Sequence, residues 1–372
     1  MIYLDHAATS YPKPENVLQA IQHWYAKIGV SADRGDGPRT REARDTIQRV
    51  RTGIAAMTGH SPEHVAFCSG ATEGLNLVLR ALLTPGSRAV TTPFEHSSVA
   101  RPLIALSKER DLQIKVADSD FATGSADDAL CNEIQSQQPS VVVFTHASNV
   151  TGAVLDAKRV CKVASANGAI SVLDASQTAG YLPINVGADV VISSCHKAMH
   201  GPPGVGFIAV NKSLELSPQK QGGTGSSIAL QQHPTQWPQA FEAGTPNTPA
   251  LFGLAAALDW LSEQGIDKLL KRATQRLSDI ETGLQAISGI RIYQPTTVQR
   301  TPVLSFTHVD YDPLEIGAVL AASGIHARCG FHCAPWIHDY LGTATAGTVR
   351  IAPGPQTSAN DVDSLLAVIA SL

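Results

Sequence analysis

Seven short apolar runs punctuate the first two thirds of the chain, at residues 65–68, 89–92, 114–116, 141–145, 169–173, 190–193 and 207–210. Within each run the apolar residues are continuous rather than alternating, the mark of strands buried on both faces. Between them lie stretches whose apolar residues recur at helical spacing, such as 156–167, which supply right-handed crossovers. The pattern predicts an α/β fold built on a mainly parallel sheet of about seven strands.

Ahead of the sheet, residues 2–4 read as a short strand and Pro12 and Pro14 as a turn leading into a helix. Residues 31–40, rich in Gly and Arg, read as a loop, and 41–57 as a helix carrying Ile47, Val50, Ile54 and Met57 on one face. Beyond the sheet, residues 222–248 are polar and turn-rich, and so read as a loop or short hairpin. Two helical patterns follow, at 250–261 and from Leu269 to Leu284, and open a smaller C-terminal α/β domain. Its strands are expected near 303–306 and 348–351, and its last helix, on Val362, Leu365, Leu366 and Ile369, reads as packing. The division expected is an N-terminal segment 1–20 packing with the small domain, a large domain 21–255 and a small domain 256–372.

Charge and composition narrow the function classes. A net charge of -4 gives no electrostatic reason to expect nucleic acid or an anionic membrane surface. No stretch approaches the roughly 18 apolar residues of a membrane span, and the first residues carry no basic and apolar leader, so the cytoplasm is the expected compartment. Six scattered cysteines make no disulfide framework in a chain of 372 residues. Cys329 and Cys333 flank His332, but no second cluster with metal-ligand spacing accompanies them, so no metal site is expected.

In a parallel sheet ligands bind beyond the carboxyl ends of the strands, and there the chain is chemically rich. Lys197 sits at a strand-to-loop junction between two apolar runs, where an amine can be desolvated and made nucleophilic toward a carbonyl; a surface lysine in a turn is the alternative. Ser69-Gly70-Ala71-Thr72 opens a helix whose free N–H groups suit phosphate, with Ala71 and Thr72 as the candidates, or serves as an ordinary cap. His96 starts the next helix, either as a cap or as a ring that stacks on a planar cofactor and shuttles protons near neutral pH. Asn149 is a ligand or a turn residue. Asp174 ends an apolar strand, where a carboxylate needs a cationic partner unless it caps the following helix. A phosphate cradle, a stacking histidine, a buried aspartate and an activated lysine at one sheet edge together describe a pyridoxal phosphate site.

With these motifs in view, the chain resembles the class V, fold-type I pyridoxal phosphate enzymes, and within them the cysteine desulfurase family. The segments YLDHAAT, SGATEGLN, EHSSV, HASNVTG, DASQ, SSCHKAMHGPPGVG, FEAGTPNT, RCGFHCAP and GTVRIA occur in that family's order. The resemblance makes Lys197 the Schiff-base lysine, Asp174 the partner of the ring nitrogen and His96 the stacking histidine. It puts Gln177 and Asn149 near the ring's phenolic oxygen and the substrate, and Ala71, Thr72, Ser194 and His196 on the phosphate. Thr245 matches a residue that reaches the partner subunit's phosphate, which implies a homodimer with shared active sites. Cys333 matches the persulfide-carrying cysteine, beside His332 and before a helix N-terminus, a setting that favours thiolate; a buried inert cysteine is the alternative. Arg350 matches the residue that grips the substrate carboxylate, with a structural ion pair as the competing role, and Arg328 falls in the substrate-binding set. No role is assigned to Cys329.

The implied reaction converts L-cysteine to L-alanine, with a persulfide on Cys333 and sulfur passed to an acceptor. The compact motif around Cys333, with no long insertion, resembles the subgroup that uses a dedicated acceptor protein, a role tied to iron–sulfur cluster assembly. Competing readings are selenocysteine as substrate, an aminotransferase or Cβ-cleaving lyase in which Cys333 is incidental, and a non-catalytic cofactor-binding protein.

Overall fold

A computed structural model of the chain describes residues 1–32, 35–118, 126–225, 231–295 and 299–372. It opens with strand β1 (Ile2–Tyr3), helix α1 (Glu15–His23), which runs on into a π turn over Trp24–Ile28, and helix α2 (Pro38–Thr58). Helix α2 starts inside the stretch expected to be a loop, because Pro38 stands at its first turn, where a missing N–H removes no helical hydrogen bond. Positions 33–34 and 226–230 of the two expected loops lie outside the described residues.

All seven apolar runs form one sheet. In chain order the elements are β2 (Val65–Cys68), α3 (Ala71–Leu82), β3 (Arg88–Thr91), α4 (Ser97–Arg110), β4 (Gln113–Val116), α5 (Ala126–Gln137), β5 (Val141–Thr145), α6 (Ala157–Ala166), β6 (Ile170–Asp174), β7 (Val190–Ser194) and β8 (Gly206–Val210). The strand order is β2-β8-β7-β6-β5-β3-β4, and only β8 runs against its neighbours, β2 and β7. The apolar pattern carries no sign of that reversal. Its cause is the link from β7 to β8, which contains no helix and so cannot make a parallel crossover.

Alternate residues of the central strands enter different cores, as expected for a sheet covered on both faces. From β5, Val142 and Phe144 pack with the core under α2 and α6, whereas Val141 and Val143 pack with that under α3 and α4. Full burial of such side chains contributes about 1.5 to 3 kcal/mol each, which makes this sheet the rigid base on which the strand ends are presented.

The rest of the chain forms α7 (Thr248–Gln264), α8 (Ile266–Gln285), β9 (Ile290–Tyr293), β10 (Leu304–His308), α9 (Pro313–Ala322), β11 (Ile325–His326), β12 (Arg328–Gly330), α10 (Pro335–Leu341), β13 (Thr348–Ile351) and α11 (Ala359–Ala370). A second, antiparallel sheet has the order β12-β13-β10-β9. Helix α7 runs unbroken past position 255, so the expected boundary falls inside a helix whose Leu254, Ala257 and Leu261 belong to the larger core. The N-terminal segment straddles both parts: β1 pairs with β11, Leu4 joins the smaller core and Val17 the larger. Val362, Leu365 and Ile369 of α11 are buried in the smaller core, as their spacing predicts. Among the described residues no helix is long and apolar enough to cross a membrane.

Gly206 at the start of β8 ties this fold to the strand-end loops. A Cβ there would stand 2.6 Å from the Gly70 Cα and 2.7 Å from the Ser193 carbonyl oxygen, so backbone on both sides would have to move. Gly206→Ala is expected to lower stability by about 1 to about 3 kcal/mol, as overpacking does. Denaturant unfolding with an unchanged midpoint would contradict that close approach.

Candidate active site

A cavity of about 190 Å³ opens at the carboxyl ends of the parallel strands. Into it come Ala71 and Thr72 from the start of α3, His96 before α4, Asn149 after β5, Asp174 from β6, Gln177 beyond it, and Ser194, His196 and Lys197 from the end of β7. Arg328 of β12 and Arg350 of β13 close the other side. The cavity therefore unites residues from Ala7 to Arg350 and receives the set expected from the sequence except Cys333 and Thr245.

Lys197 brings an amine into the cavity. Burial pulls its pKa below the usual lysine value, with Asp174 opposing that shift and Arg350 and Arg328 reinforcing it. Among the described residues its ammonium makes no hydrogen bond. Asp174 is 4% exposed, and its Oδ1 accepts the Ser176 N–H at 2.9 Å, yet no ion pair joins it among the described residues. A buried carboxylate facing a cavity without a direct cation is suited to a ring bearing a protonated nitrogen.

His96 caps the next helix, one of the two roles weighed for it, and also lines the cavity. Its Nδ1 accepts from the Ser98 N–H at 3.1 Å and lies 2.8 Å from the Ser98 Oγ, so it caps α4 while its ring lines the cavity. Burial and then Lys197 push its pKa down to about 4, so the ring is neutral near neutral pH. The N–H of Ala71 donates to the Ser194 Oγ at 2.8 Å, which links the start of α3 to the end of β7. Gln177 is anchored by its Nε2 to the Ala7 carbonyl at 3.0 Å.

Cys333 does not line the cavity but touches a residue that does. Its Sγ accepts from the Arg328 Nη2 at 2.9 Å, and its carbonyl oxygen accepts the Ser97 N–H at 2.6 Å, beside His96. The expected help from His332 is corrected. Burial, with Arg350 adding, pushes the His332 pKa down to about 2, its Nε2 pairs with the Thr348 Oγ1 at 2.9 Å, and it supplies no positive charge to the sulfur. The cation beside Cys333 is Arg328. Asn149 fastens the same loop, donating to the His332 carbonyl at 2.7 Å while its own carbonyl accepts from the Arg350 Nη1 at 3.0 Å.

Arg350 is 1% exposed and makes the structural ion pair weighed as its competing role, through Nη2 to the Asp5 Oδ1. Its Nε is left without a partner among the described residues, so the guanidinium lines the cavity with donor capacity in hand. Thr245 is exposed and lies outside this cavity, along a separate hollow of about 310 Å³ with Glu73, Lys220 and Glu242. Cys195, between Ser194 and His196, points into the larger core, and burial pushes its thiol pKa up. No group of residues able to hold a metal ion occurs among the described residues.

Some members of the site are not signalled by strand-end motifs. Asp5 is one, and Glu95 is another. Glu95 is fully buried, its Oε1 accepts from the Thr145 N–H at 3.0 Å and the Thr92 hydroxyl at 2.5 Å, and its Oε2 has no partner among the described residues. Burial raises its pKa to about 8, with the Asp174 charge adding.

The comparisons with known proteins agree with this geometry. Residues 2–365 match the family model described as aminotransferase class-V, and the chain belongs to that family. Its relatives narrow the family to the cysteine desulfurases. The chain is 31% identical to a probable cysteine desulfurase of Pyrococcus abyssi over 100% of this chain and 94% of that protein. It is 32% identical to probable cysteine desulfurase 2 of Mycobacterium leprae, over 99% and 90% of the two chains. Among solved structures, the apo cysteine desulfurase from Thermococcus onnurineus NA1 superposes with a TM-score of 0.91 at 28% identity, covering 100% of this chain and 94% of that one.

Glu95 gives a pH test of the site's electrostatics. With its folded pKa raised to about 8 from 4.5, its contribution to stability is fully present below 4.5 and is lost as pH rises through 8. Glu95→Gln, which removes the titration, is expected to gain about 1 to 3 kcal/mol relative to the wild type between about pH 5 and about pH 8. Denaturant unfolding at those two pH values reads the change, and a difference independent of pH would contradict a protonated Glu95.

Proposed function

We propose that the chain is a pyridoxal phosphate-dependent cysteine desulfurase that converts L-cysteine to L-alanine and transfers the sulfur through Cys333. The observation that carries this reading is the Cys333 sulfur bonded to Arg328, which lines the same cavity as Lys197 and Asp174. The residues fit the cofactor: among the described residues the Lys197 amine has no hydrogen bond and the buried Asp174 carboxylate no ion-pair partner, while the neutral His96 ring and a helix start with a Ser194 hydroxyl beside it line the same cavity.

Bound there, pyridoxal phosphate supplies an aldehyde and an electron-withdrawing ring. Lys197 would hold the aldehyde, Asp174 the ring nitrogen and His96 one face of the ring. Ala71, Thr72, Ser194 and His196 would hold the phosphate, joined by Thr245 of the partner subunit in a homodimer, and Gln177 and Asn149 would lie by the phenolic oxygen.

The chain's own groups then divide the work. Arg350, oriented by Asp5 and Asn149, and Arg328 bind the substrate carboxylate. Lys197 Nζ would take the Cα proton, a task helped by the burial that draws its pKa below the usual lysine value. The Cys333 sulfur, as thiolate, attacks the substrate sulfur. The Cβ–S bond breaks as the new S–S bond forms, leaving a persulfide on Cys333, and protonation at Cβ and Cα completes alanine. A thiol acceptor on a dedicated protein then takes the outer sulfur, with iron–sulfur cluster assembly as the process served. Selenocysteine, with the same carboxylate and amine, is the nearest competing substrate.

Cys333→Ala is expected to keep the cofactor absorbance band and lose alanine formation from L-cysteine by at least about 100-fold, as removal of a nucleophile does. Lys197→Ala should lose both. Alanine production that survives in Cys333→Ala would assign the chain to the other chemistries of its family.

A further inference from the structure

The peptide carbonyl just before Lys197 is held more heavily than a carbonyl with two lone pairs requires. The His196 oxygen accepts from the Ser10 N–H at 3.0 Å, the Thr9 Oγ1 at 3.0 Å, the Ser10 Oγ at 3.2 Å and the Lys13 Nζ at 2.7 Å. All four donors come from the N-terminal segment, more than 180 residues away. Lys13 is flanked by Pro12 and Pro14, which restrict its backbone, and its ammonium also donates to the Ser10 Oγ at 2.8 Å. We propose that Lys13 is a positioning residue: its ammonium, with Thr9 and Ser10, fixes the His196 carbonyl and through it the backbone from which the Lys197 amine projects. The inference rests on Lys197 being the lysine that carries the cofactor.

Lys13 has only neutral oxygen acceptors, and burial lowers its pKa to about 8. The titratable groups that face it are His6, His196 and His200. Burial pushes their pKa values down to about 4, 4 and 3, with the Lys13 charge adding at His6, Lys197 and then Lys13 at His196, and His6 and then Lys13 at His200. Near neutral pH these rings are neutral, and Lys13 bears the positive charge of the group. As pH rises through about 8 the ammonium loses its proton and its charge-assisted bond to the carbonyl, so the hold on the Lys197 loop weakens.

The test compares Lys13→Met and Lys13→Arg with the wild type as holoenzymes. In Lys13→Met the dissociation constant for pyridoxal phosphate is expected to rise about tenfold and kcat to fall about tenfold, with KM for L-cysteine within about twofold, the scale of one charge-assisted hydrogen bond. Lys13→Arg, which keeps the charge, should restore both to within about threefold. The wild-type kcat should decline above about pH 8, and Lys13→Met should lack that limb. Wild-type cofactor affinity and pH profile in Lys13→Met, or a Lys13→Arg no better than Lys13→Met, would overturn the assignment.

Should Lys13→Met fail to fold, amide exchange of residues 195–200 in the apo wild type decides. Protection, corrected for intrinsic rate, is expected to fall between about pH 7 and about pH 9, and constant protection overturns the proposal. Lys197→Ala separates the two levels of the reading. A cofactor band that survives it sinks the role of Lys197, whereas its loss there beside an unaffected Lys13→Met sinks the Lys13 clamp alone.

Discussion

A buried carboxylate and a partly buried amine at the ends of adjacent strands, without pairing to each other, set the terms for the rest of the structure. Asp174 ends β6 and Lys197 follows β7, which pairs with β6 in parallel. Each would be costly to bury alone, and a direct ion pair would neutralise both. The cavity keeps them apart, so the site holds two uncompensated demands that a ring with a cationic nitrogen and an aldehyde meets at once. The surroundings do not compete: Glu95 is held protonated, and His96 and His332 are held neutral. Positive charge is concentrated on Arg328 and Arg350, where an anionic substrate and a nucleophilic sulfur have use for it.

That placement depends on long-range contacts that converge on the N-terminal segment. Asp5 pairs with Arg350 and bridges to Ala352, Ala7 anchors Gln177, and Thr9, Ser10 and Lys13 hold the carbonyl of His196. The same segment therefore touches Arg350 on one side of the cavity and the peptide just before Lys197 on the other. Asn149 does the corresponding work on the opposite wall, joining the Cys333 loop to Arg350. A site assembled from two sheets is kept in register by a few residues that belong to neither.

Much of this is legible in the sequence, for a physical reason. Strands buried on both faces write themselves as continuous apolar runs, and the residues just after them must lie at one edge of the sheet, so the order of residues alone groups Lys197, Asp174, His96 and Ala71. The reversal of β8 is not legible, because an antiparallel return leaves the same apolar signature as a parallel strand. The start of α2 at Pro38 is hidden by the Gly and Arg residues around it. Adjacency misleads at His332: the neighbour of a cysteine in sequence reads as a cation, but burial and a turn in the left-handed region (φ of 50° at His332 and 57° at Cys333) make it a neutral ring bonded to Thr348. The Asp5–Arg350 pair spans 345 positions, and nothing local to either residue announces the other. Its only trace is the YLDHAAT motif, which gives its aspartate no role.

The central claim is that one cysteine receives the sulfur released in the cavity, and mass spectrometry of the holoenzyme after brief reaction with L-cysteine tests it most directly. The account predicts one extra sulfur atom, located by fragmentation on Cys333 itself, removed by a thiol reductant and absent from Cys68, Cys131, Cys161, Cys195 and Cys329. Alanine formed in step with turnover while Cys333 gains no sulfur, or a persulfide found on another cysteine, would contradict it.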